Sequence, residues 1–351
     1  MKSQFYQRLK DLPPEIWSKT ALIDELKGRW ISGATLNPQV LGRLKRSVLI
    51  TSTGASTRIE GSSLSDEDIE RLMRGLSVQK FADRDKQEVR GYYELLSNIF
   101  ESWDGISISE STIKHFHKEL LKYVDKDKLH RGEYKKSENK VHMIDTAGKS
   151  VGLLFDTTPA YLTPKEMLEL VEVTRKAFDE KRYHPLIIIG NFLVEFLLIH
   201  PFQDGNGRLS RVLTNLLLLK NGYEYVLYLS HEKLIEDSKA DYYIALRKSQ
   251  KTMRSCKPDI SPWLDFFLSV IHKQAEMAIQ LLSKESVDKL LSPKQLVIWK
   301  YLQGVDETTP GEICAKTKVA RPTVKQVLNK LLVLKKIERI GLGATTRYRK
   351  I

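Results

Sequence analysis

The sequence predicts a mainly α-helical protein with a short β-hairpin near its centre and a basic segment at its end. Apolar residues recur at helical spacing along most of the 351 residues, and residues 137–154 break that pattern within the central block. Residues 292–351 carry nine lysines and four arginines against four acidic residues, so +9 of the net charge of +13 lies there. We therefore expect three domains, at 1–106, 107–285 and 286–351.

The N-terminal domain is predicted to be helical throughout. Ser65 followed by Asp68 has the spacing of a capping box, with Ser65 as the N-cap. Apolar spacing predicts four helices in this domain, at Leu22–Trp30, Pro38–Ile50, Ser65–Arg74 and Lys86–Trp103.

In the central domain, two short apolar runs flank a turn-forming stretch. Lys140, Val141, His142, Met143 and Ile144 form the first run, and residues 150–154 form the second. Between them, Asp145-Thr146-Ala147-Gly148 is typical of a turn, so a β-hairpin is expected. One more amphipathic helix, Trp263–Leu282, closes the domain.

The basic C-terminal domain has the pattern of a winged helix-turn-helix. After a linker near 283–291, helices are expected at Pro293–Leu302, Gly311–Thr317 and Pro322–Leu334, and the alternating end around Gly341 and Gly343 predicts a two-stranded wing. Arg321, Lys325, Lys330, Arg339, Arg347 and Arg349 could meet phosphates, which favours DNA binding through 286–351. A winged helix used for protein contacts explains the pattern equally well.

Composition excludes several classes of protein. The apolar segments are interrupted by charges well short of 18 residues, and the N-terminus has no apolar signal-peptide core, so no membrane association is expected. Cys256 and Cys314 are far apart and lack metal-binding spacing. This predicts a reducing, cytoplasmic setting without disulfides or a zinc site.

The chemistry is concentrated between two apolar segments, Leu186–Ile199 and Leu209–Leu219, which both have helical length. The connecting run places polar residues in a turn and at the start of the second helix, where unpaired backbone N–H groups and the helix dipole favour an anion. That run is His200-Pro201-Phe202-Gln203-Asp204-Gly205-Asn206-Gly207-Arg208-Leu209-Ser210-Arg211.

Each polar residue of this run has a candidate role in handling phosphate. His200, with an ordinary pKa of about 6.5, would be neutral at working pH and could act as a general base. Asp204 offers a hard oxygen ligand for Mg²⁺, although it could equally cap the turn. The stretch 205–207 lets the backbone approach phosphates, while Arg208 and Arg211 share one helix face.

This run resembles the signature of the Fic family, HPFx[D/E]GNGRxxR, and matches it at every fixed position. The resemblance implies a Fic helical core that transfers AMP from ATP to a hydroxyl side chain of a target protein, with Mg²⁺. It also implies that Gly205, Asn206 and Gly207 contact the α- and β-phosphates, Arg208 the β-phosphate and Arg211 the γ-phosphate. Gly207 favours AMP transfer, because a lysine replaces this glycine in the kinase-like branch of the family.

A second motif suggests an inhibitory contact. Ser56, Glu60 and Gly61 match the family's inhibitory pattern [S/T]xxxE[G/N], which implies that Glu60 pairs with Arg211 and excludes the γ-phosphate. A surface glutamate followed by a helix-ending glycine would give the same letters. Resemblance further assigns the hairpin, with Lys140, Val141, His142 and Met143, to a flap that aligns the target, and Tyr242 and Tyr243 to the adenosine end of the site.

Other functions remain open on the sequence alone. Glu60 could orient water to remove AMP from a target, the Fic core could serve as a sensor in a DNA-binding regulator, or another nucleotide such as UMP could be the donor. The partners considered are ATP, a protein target, the chain itself through auto-AMPylation or as a homodimer, and DNA. The arrangement of domains is typical of bacterial relatives.

Overall fold

The computed structural model describes residues 2–33, 38–75, 84–144, 150–284, 291–333, 336–341 and 346–350. The chain divides into two compact units, 1–279 and 280–351. The division at 106 between a helical domain and a central domain stays a prediction. Among the described residues, no helix combines the length and apolar character needed to cross a bilayer.

The first unit begins with helices that supply several residues to the site. The capping box predicted at Ser65 is present, since Ser65 Oγ accepts from the Asp68 N–H and the Asp68 side chain accepts from the Ser65 N–H. The helices are α1 (Lys2–Gln7), α2 (Pro14–Gly33), α3 (Pro38–Ile59), α4 (Asp66–Arg74) and α5 (Arg84–Ser102).

Helix α3 runs nine residues beyond its predicted end at Ile50. Its inward face there is built from small side chains such as Ser52, Ala55 and Ser56, which are all at most 1% exposed. Small side chains do not produce a recognisable apolar pattern, so the sequence shows no sign that the helix continues beyond Ile50. This extension carries Ser56 of the predicted inhibitory motif.

The remaining elements of the first unit surround a buried pair of consecutive helices, α8 and α9. Nearly every residue of both is buried, because the other helices cover all their faces. The elements are α6 (Glu110–Leu120), β1 (Lys140–Ile144), β2 (Ser150–Asp156), α7 (Thr163–Glu180), α8 (Pro185–Ile199), α9 (Asn206–Lys220), α10 (His231–Asp237), α11 (Lys239–Gln250) and α12 (Ser261–Lys284).

The predicted hairpin is confirmed by its backbone pairing. Strands β1 and β2 are antiparallel, with Val141 opposite Phe155 and Met143 opposite Gly152. Register shifts between Val141 and His142, and between Met143 and Ile144, mark irregular positions in the ladder. The predicted turn lies at 145–149, outside the described residues, as do 285–290 of the predicted linker.

From residue 291 onward, the described part of the second unit forms three helices and a two-stranded antiparallel sheet around its own apolar core. Ile298, Ile313, Val324 and Leu331 are fully buried in that core. The Thr308 backbone exchanges hydrogen bonds of 3.0 and 2.8 Å with Tyr348. The elements are α13 (Pro293–Gln303), α14 (Pro310–Thr317), α15 (Arg321–Val333), β3 (Ile337–Ile340) and β4 (Arg347–Lys350). Leu334 and positions 342–345 of the predicted wing lie outside the described residues.

Candidate active site

His200 ends helix α8 in a left-handed conformation, with φ 52° and ψ 61°. Its backbone N–H still donates to the Phe196 carbonyl at 2.9 Å, and its Nδ1 lies 3.4 Å from the Leu197 carbonyl oxygen. A ring nitrogen that faces a carbonyl carries the proton, so this hydrogen bond assigns the proton to Nδ1 and the lone pair to Nε2. The structure therefore presents the tautomer that a general base requires.

His200 is neutral as expected, although its pKa departs from the ordinary value. Burial lowers the pKa of His200 to about 4, and the positive charge of Lys135 acts in the same direction. The imidazole is therefore neutral over the whole physiological range. A polyphosphate bound beside it would raise this pKa again, since a nearby negative charge favours the protonated ring.

The loop after His200 is held by its own asparagine. Asn206 Oδ1 accepts from the Phe202 N–H at 2.9 Å, and Asn206 Nδ2 donates to the Phe202 carbonyl at 2.7 Å. The Phe202 ring is fully buried and anchors the loop in the core. The amide of Asn206 therefore supports the loop from inside, while Gly205 adopts φ +78° to begin α9.

A buried histidine that the sequence analysis did not single out supports the same loop. The His117 ring, from α6, stacks on Phe202 with centroids 3.8 Å apart and planes 10° apart. Its Nδ1 accepts from the Gly132 N–H at 2.9 Å, and its Nε2 lies 3.1 Å from the Asp204 carbonyl oxygen. Burial lowers the pKa of His117 to about 4, so the neutral ring keeps both hydrogen bonds.

The base of the hairpin is tied to the motif through a second set of missed residues. Lys135 Nζ donates to the Ile199 carbonyl at 3.0 Å and to Asn139 and Thr157 at 2.8 Å each. Asn139 Nδ2 donates to the Phe202 carbonyl at 2.9 Å. Because Asn139 precedes β1 and Thr157 follows β2, these bonds place both ends of the hairpin beside the loop. The side chains of Lys140, Val141, His142 and Met143 lie outside what the structure describes.

Asp204 sits among cations and donors at the start of α9. Its Oδ1 accepts from the Gly205 N–H at 2.6 Å, and its Oδ2 lies 3.1 Å from Arg208 Nη2 and 2.6 Å from Arg84 Nη2. Burial would raise the pKa of Asp204, but Arg208, the Gly205 N–H and Arg84 outweigh it and hold the pKa below its usual range. The carboxylate is thus charged, and it accepts hydrogen bonds from three donors.

The metal prediction fits this carboxylate only together with a bound phosphate. Within the described ranges, no three His, Cys, Asp or Glu side chains are grouped to hold an ion by themselves. Mg²⁺ commonly takes one or two carboxylates, waters and substrate phosphate oxygens. Asp204 suits that kind of site.

Arg208 is buried rather than presented to solvent. Its side chain is 3% exposed and forms ion pairs with Glu88 at 2.5 Å and with Asp204 at 3.1 Å. Glu88 belongs to α5, far from the motif in sequence, and the sequence analysis did not identify it. A phosphate that approaches Arg208 meets a guanidinium already neutralised by carboxylates.

Arg211 is held by two residues of the N-terminal motif. Its Nε donates to Ser56 Oγ at 2.8 Å, and its Nη2 donates to the Ser56 carbonyl at 2.9 Å and to Glu60 Oε1 at 2.7 Å. Burial works against the charged guanidinium, but Glu60 outweighs it and raises the pKa of Arg211. Glu60 also lies against Gly207, because a Cβ added there would overlap its Oε1.

The end of α3 fixes the direction in which Glu60 points. Gly61 follows with φ +104° and ends the helix, as expected for a glycine in this place. Arg58 anchors the same turn through two hydrogen bonds to Glu236, at 2.5 and 3.1 Å, and one of 2.9 Å to Asp66. Glu60 itself remains 35% exposed, so its side chain has room to move.

Tyr242 and Tyr243 differ in what they can offer a ligand. Tyr242 is 3% exposed and packs edge-on against Trp263, Phe266 and Tyr243, with centroids 5.0–5.8 Å apart. It belongs to the core beside Arg211, and at 3% exposure its ring has little free surface for an adenine. Its assignment to the adenosine end of the site stays a prediction. Tyr243 is half-buried and is the member of the pair nearer to solvent.

Comparison with known proteins agrees with this arrangement. Residues 107–218 match the sequence profile of the Fic/DOC family. The crystal structure of a Fic family protein from Desulfovibrio desulfuricans superimposes with a TM-score of 0.63, 25% identity and 97% coverage of both chains. A Fic domain containing signaling protein from Bacteroides thetaiotaomicron, at 22% identity, shares the fold with a TM-score of 0.62 over 76% of this chain and 98% of its own.

Among curated relatives, a probable protein adenylyltransferase of Aquifex aeolicus is 27% identical over 60% of this chain. The protein adenylyltransferase fic-1 of Caenorhabditis elegans is 25% identical over 68% of it. The chain spans 60% and 42% of the lengths of these two relatives. The profile match, the buried α8–α9 pair and the intact run from His200 to Arg211 lead to one conclusion: the chain carries a Fic/DOC family domain at residues 107–218.

Proposed function

We propose that the chain is a self-inhibited protein adenylyltransferase, which transfers AMP from ATP to a serine, threonine or tyrosine hydroxyl of a protein. The observation that carries the proposal is the convergence at the start of α9. His200 Nε2, the amide-rich turn at Gly205 and two buried arginines meet there within one motif. The names of the relatives, which describe protein adenylyltransferases, support the same reaction.

In the proposed reaction, the target hydroxyl gives its proton to His200 Nε2 as its oxygen attacks the α-phosphorus of ATP. A bond forms between that oxygen and phosphorus, the bond to the β-phosphate oxygen breaks, and pyrophosphate leaves. Arg208, Arg211 and the N-terminus of α9 stabilise the charge that develops on the leaving group. Bound Mg²⁺ would supply further charge neutralisation at the phosphates, with Asp204 as its protein ligand.

The pair between Glu60 and Arg211 is the proposed brake. A carboxylate at 2.7 Å from Arg211 and directly against Gly207 fills the space that the distal phosphates would need. ATP could then bind only in a pose that leaves its α-phosphate out of line. Because Glu60 ends a helix and is partly exposed, rotation of one side chain would release Arg211.

The reaction is tested with the Glu60→Gly protein incubated in parallel with ATP labelled on the α-phosphate, ATP labelled on the γ-phosphate, and α-labelled UTP. We expect protein labelling from α-labelled ATP alone, on the chain itself and on added target proteins, with AMP located on hydroxyl side chains by mass spectrometry. Labelling from γ-labelled ATP would mean phosphoryl transfer, and labelling from UTP would mean a different donor. Release of AMP from a pre-labelled target by the wild type, but not by Glu60→Gly, would favour the hydrolase.

DNA binding is a second candidate function, and it belongs to the C-terminal unit. Arg321, Lys325, Gln326 and Asn329 all project from the exposed side of α15, as expected for a recognition helix. Arg339 and Arg347 are exposed on the hairpin.

A further inference from the structure

Asp204 has one partner that the proposed reaction does not use. Arg84, the first residue of α5, donates from Nη2 to Asp204 Oδ2 at 2.6 Å. The Gly205 N–H and Arg208 also donate to the carboxylate. A divalent cation that takes Asp204 as a ligand would be repelled by the two guanidinium charges already beside it, so its binding favours the departure of one of them.

Arg84 is the donor that is able to leave. The Gly205 N–H belongs to the loop backbone, and Arg208 is buried and held on its other side by Glu88 at 2.5 Å. The side chain of Arg84 is 46% exposed, so its guanidinium can be rehydrated when it moves. An exposed ion pair is also weak, since solvent screens it.

A second carboxylate, that of Asp127, lies close enough to pair with Arg84 after a small movement. Asp127 Oδ2 lies 3.6 Å from Arg84 Nη2, and within the described part of the chain this buried oxygen accepts no hydrogen bond. Arg84 Nε meanwhile donates to Glu88 Oε1 at 2.7 Å, which keeps the base of the guanidinium in place. A small rotation of the Arg84 guanidinium would thus move Nη2 from Asp204 to Asp127.

We propose that Arg84 is a resident counter-cation of Asp204, which the incoming metal–nucleotide complex displaces toward Asp127. This inference rests on the proposed function, because only that function assigns a metal to Asp204. Arg84 is therefore a residue that sets the metal dependence of the site. Without a ligand, the positive charge of Arg84 stabilises the Asp204 carboxylate beside the phosphate-binding turn. When the metal–nucleotide complex is bound, Arg84 pairs with Asp127 instead.

The test measures Mn²⁺ binding by electron paramagnetic resonance, in the presence of a saturating ATP analogue that cannot transfer AMP. The Glu60→Gly background removes the competing brake. We expect Arg84→Ala to bind Mn²⁺ about two- to fivefold more tightly, the range that loss of an exposed ion pair allows. Arg84→Lys, which keeps the charge, should stay near the parent. Asp127→Asn should weaken binding, since displaced Arg84 would lose its second carboxylate.

Two controls separate the possible failures. Arg74→Ala breaks an exposed i,i+4 pair with Glu70 on α4 and should leave Mn²⁺ binding unchanged. Asp204→Asn should abolish the metal site.

If Asp204→Asn loses Mn²⁺ but Arg84→Ala binds it no more tightly than the parent, the Arg84 inference is overturned alone. Weaker binding by Arg84→Ala would make Arg84 a phosphate ligand instead. If the parent binds no Mn²⁺ with the nucleotide, or Asp204→Asn binds it equally, the proposed metal site fails as well.

Discussion

The arginines of α9 and the basic residues of the C-terminal unit carry the same charge in opposite surroundings. Arg208 and Arg211 are 3% and 2% exposed, and each is paired with a carboxylate from the N-terminal helices. Arg321 and Arg347 are exposed to solvent. A buried guanidinium requires a counter-ion, so a phosphate has to displace a specific carboxylate to reach it. Exposed cations bind any polyanion with strength that depends on salt. Burial thus makes phosphate binding at Arg208 and Arg211 selective, because a phosphate has to compete there with a specific carboxylate.

Removing the proposed base in the buried region should strongly lower activity. In the Glu60→Gly background, His200→Ala should lower the rate of AMP transfer by about 10²–10⁴, the usual contribution of a general base. ATP affinity, measured by calorimetry, should persist because the arginines and the α9 turn remain. His115→Ala, an exposed histidine on α6, is the control. Transfer by His200→Ala at the parent rate would remove His200 from the mechanism.

Buried neutral histidines should also make the first unit sensitive to acid. The folded-state pKa of His117 is depressed to about 4, so below pH 6.5 the unfolded chain binds a proton that the folded chain excludes. Stability supported by neutral His117 is thus complete above pH 6.5 and is lost as pH falls toward 4. Between pH 7 and pH 5, this loss amounts to about 2 kcal/mol.

His117→Asn should remove that part of the pH dependence, although it lowers stability at pH 7 by breaking the stack on Phe202. Urea unfolding at pH 7 and pH 5 gives the two free energies of unfolding for each variant. His115→Asn should behave like the wild type. An identical pH 7-to-5 difference in His117→Asn and wild type would show that His117 is not held neutral.

The exposed region should respond to salt instead. If the C-terminal unit binds duplex DNA, its affinity should fall by about tenfold or more between 50 and 200 mM salt, since each neutralised phosphate releases counter-ions. Fluorescence anisotropy of the whole chain with a labelled duplex measures this. A DNA affinity that does not change with salt concentration would exclude the exposed lysines and arginines as contacts. Absence of DNA binding at 50 mM salt would favour a protein partner.

The smallest effect should follow a conservative exchange in that exposed region. Arg347→Lys keeps the charge, so DNA affinity should change by less than about twofold. Arg211→Lys, in the Glu60→Gly protein, should instead lower AMP transfer strongly, because a lysine cannot reproduce the planar, multiply bonded guanidinium. Equal tolerance at both positions would contradict the distinction between the two regions.

Local signals in the sequence were enough for much of this site. The turn between α8 and α9 and the hairpin strands each depend on neighbouring residues, and the structure has them where expected. The end of α3 was misplaced at Ile50, because its small buried side chains give no apolar pattern. The approach of Glu60 to Arg211 was predicted only through resemblance to the Fic family, and its geometry is present at 2.7 Å.

The remaining parts depend on distant packing. Arg84 and Glu88 are spaced i,i+4 like any exposed ion pair on a helix, so nothing in α5 marks them as partners of a motif more than a hundred residues away. His117 lies on the apolar face of α6, where a lone histidine is not distinctive. The lowered pKa of His200 likewise follows from burial by several helices, which the motif alone does not show.

If the Glu60 carboxylate on Arg211 prevents AMP transfer, the rate of transfer from α-labelled ATP will differ among three proteins. These are the wild type, Glu60→Gly and Glu60→Gly/Arg211→Ala. Loss of a charge-assisted pair predicts a rate about tenfold or more above wild type for Glu60→Gly, and none in the double variant. Equal rates in wild type and Glu60→Gly, or full activity without Arg211, would contradict the proposed brake.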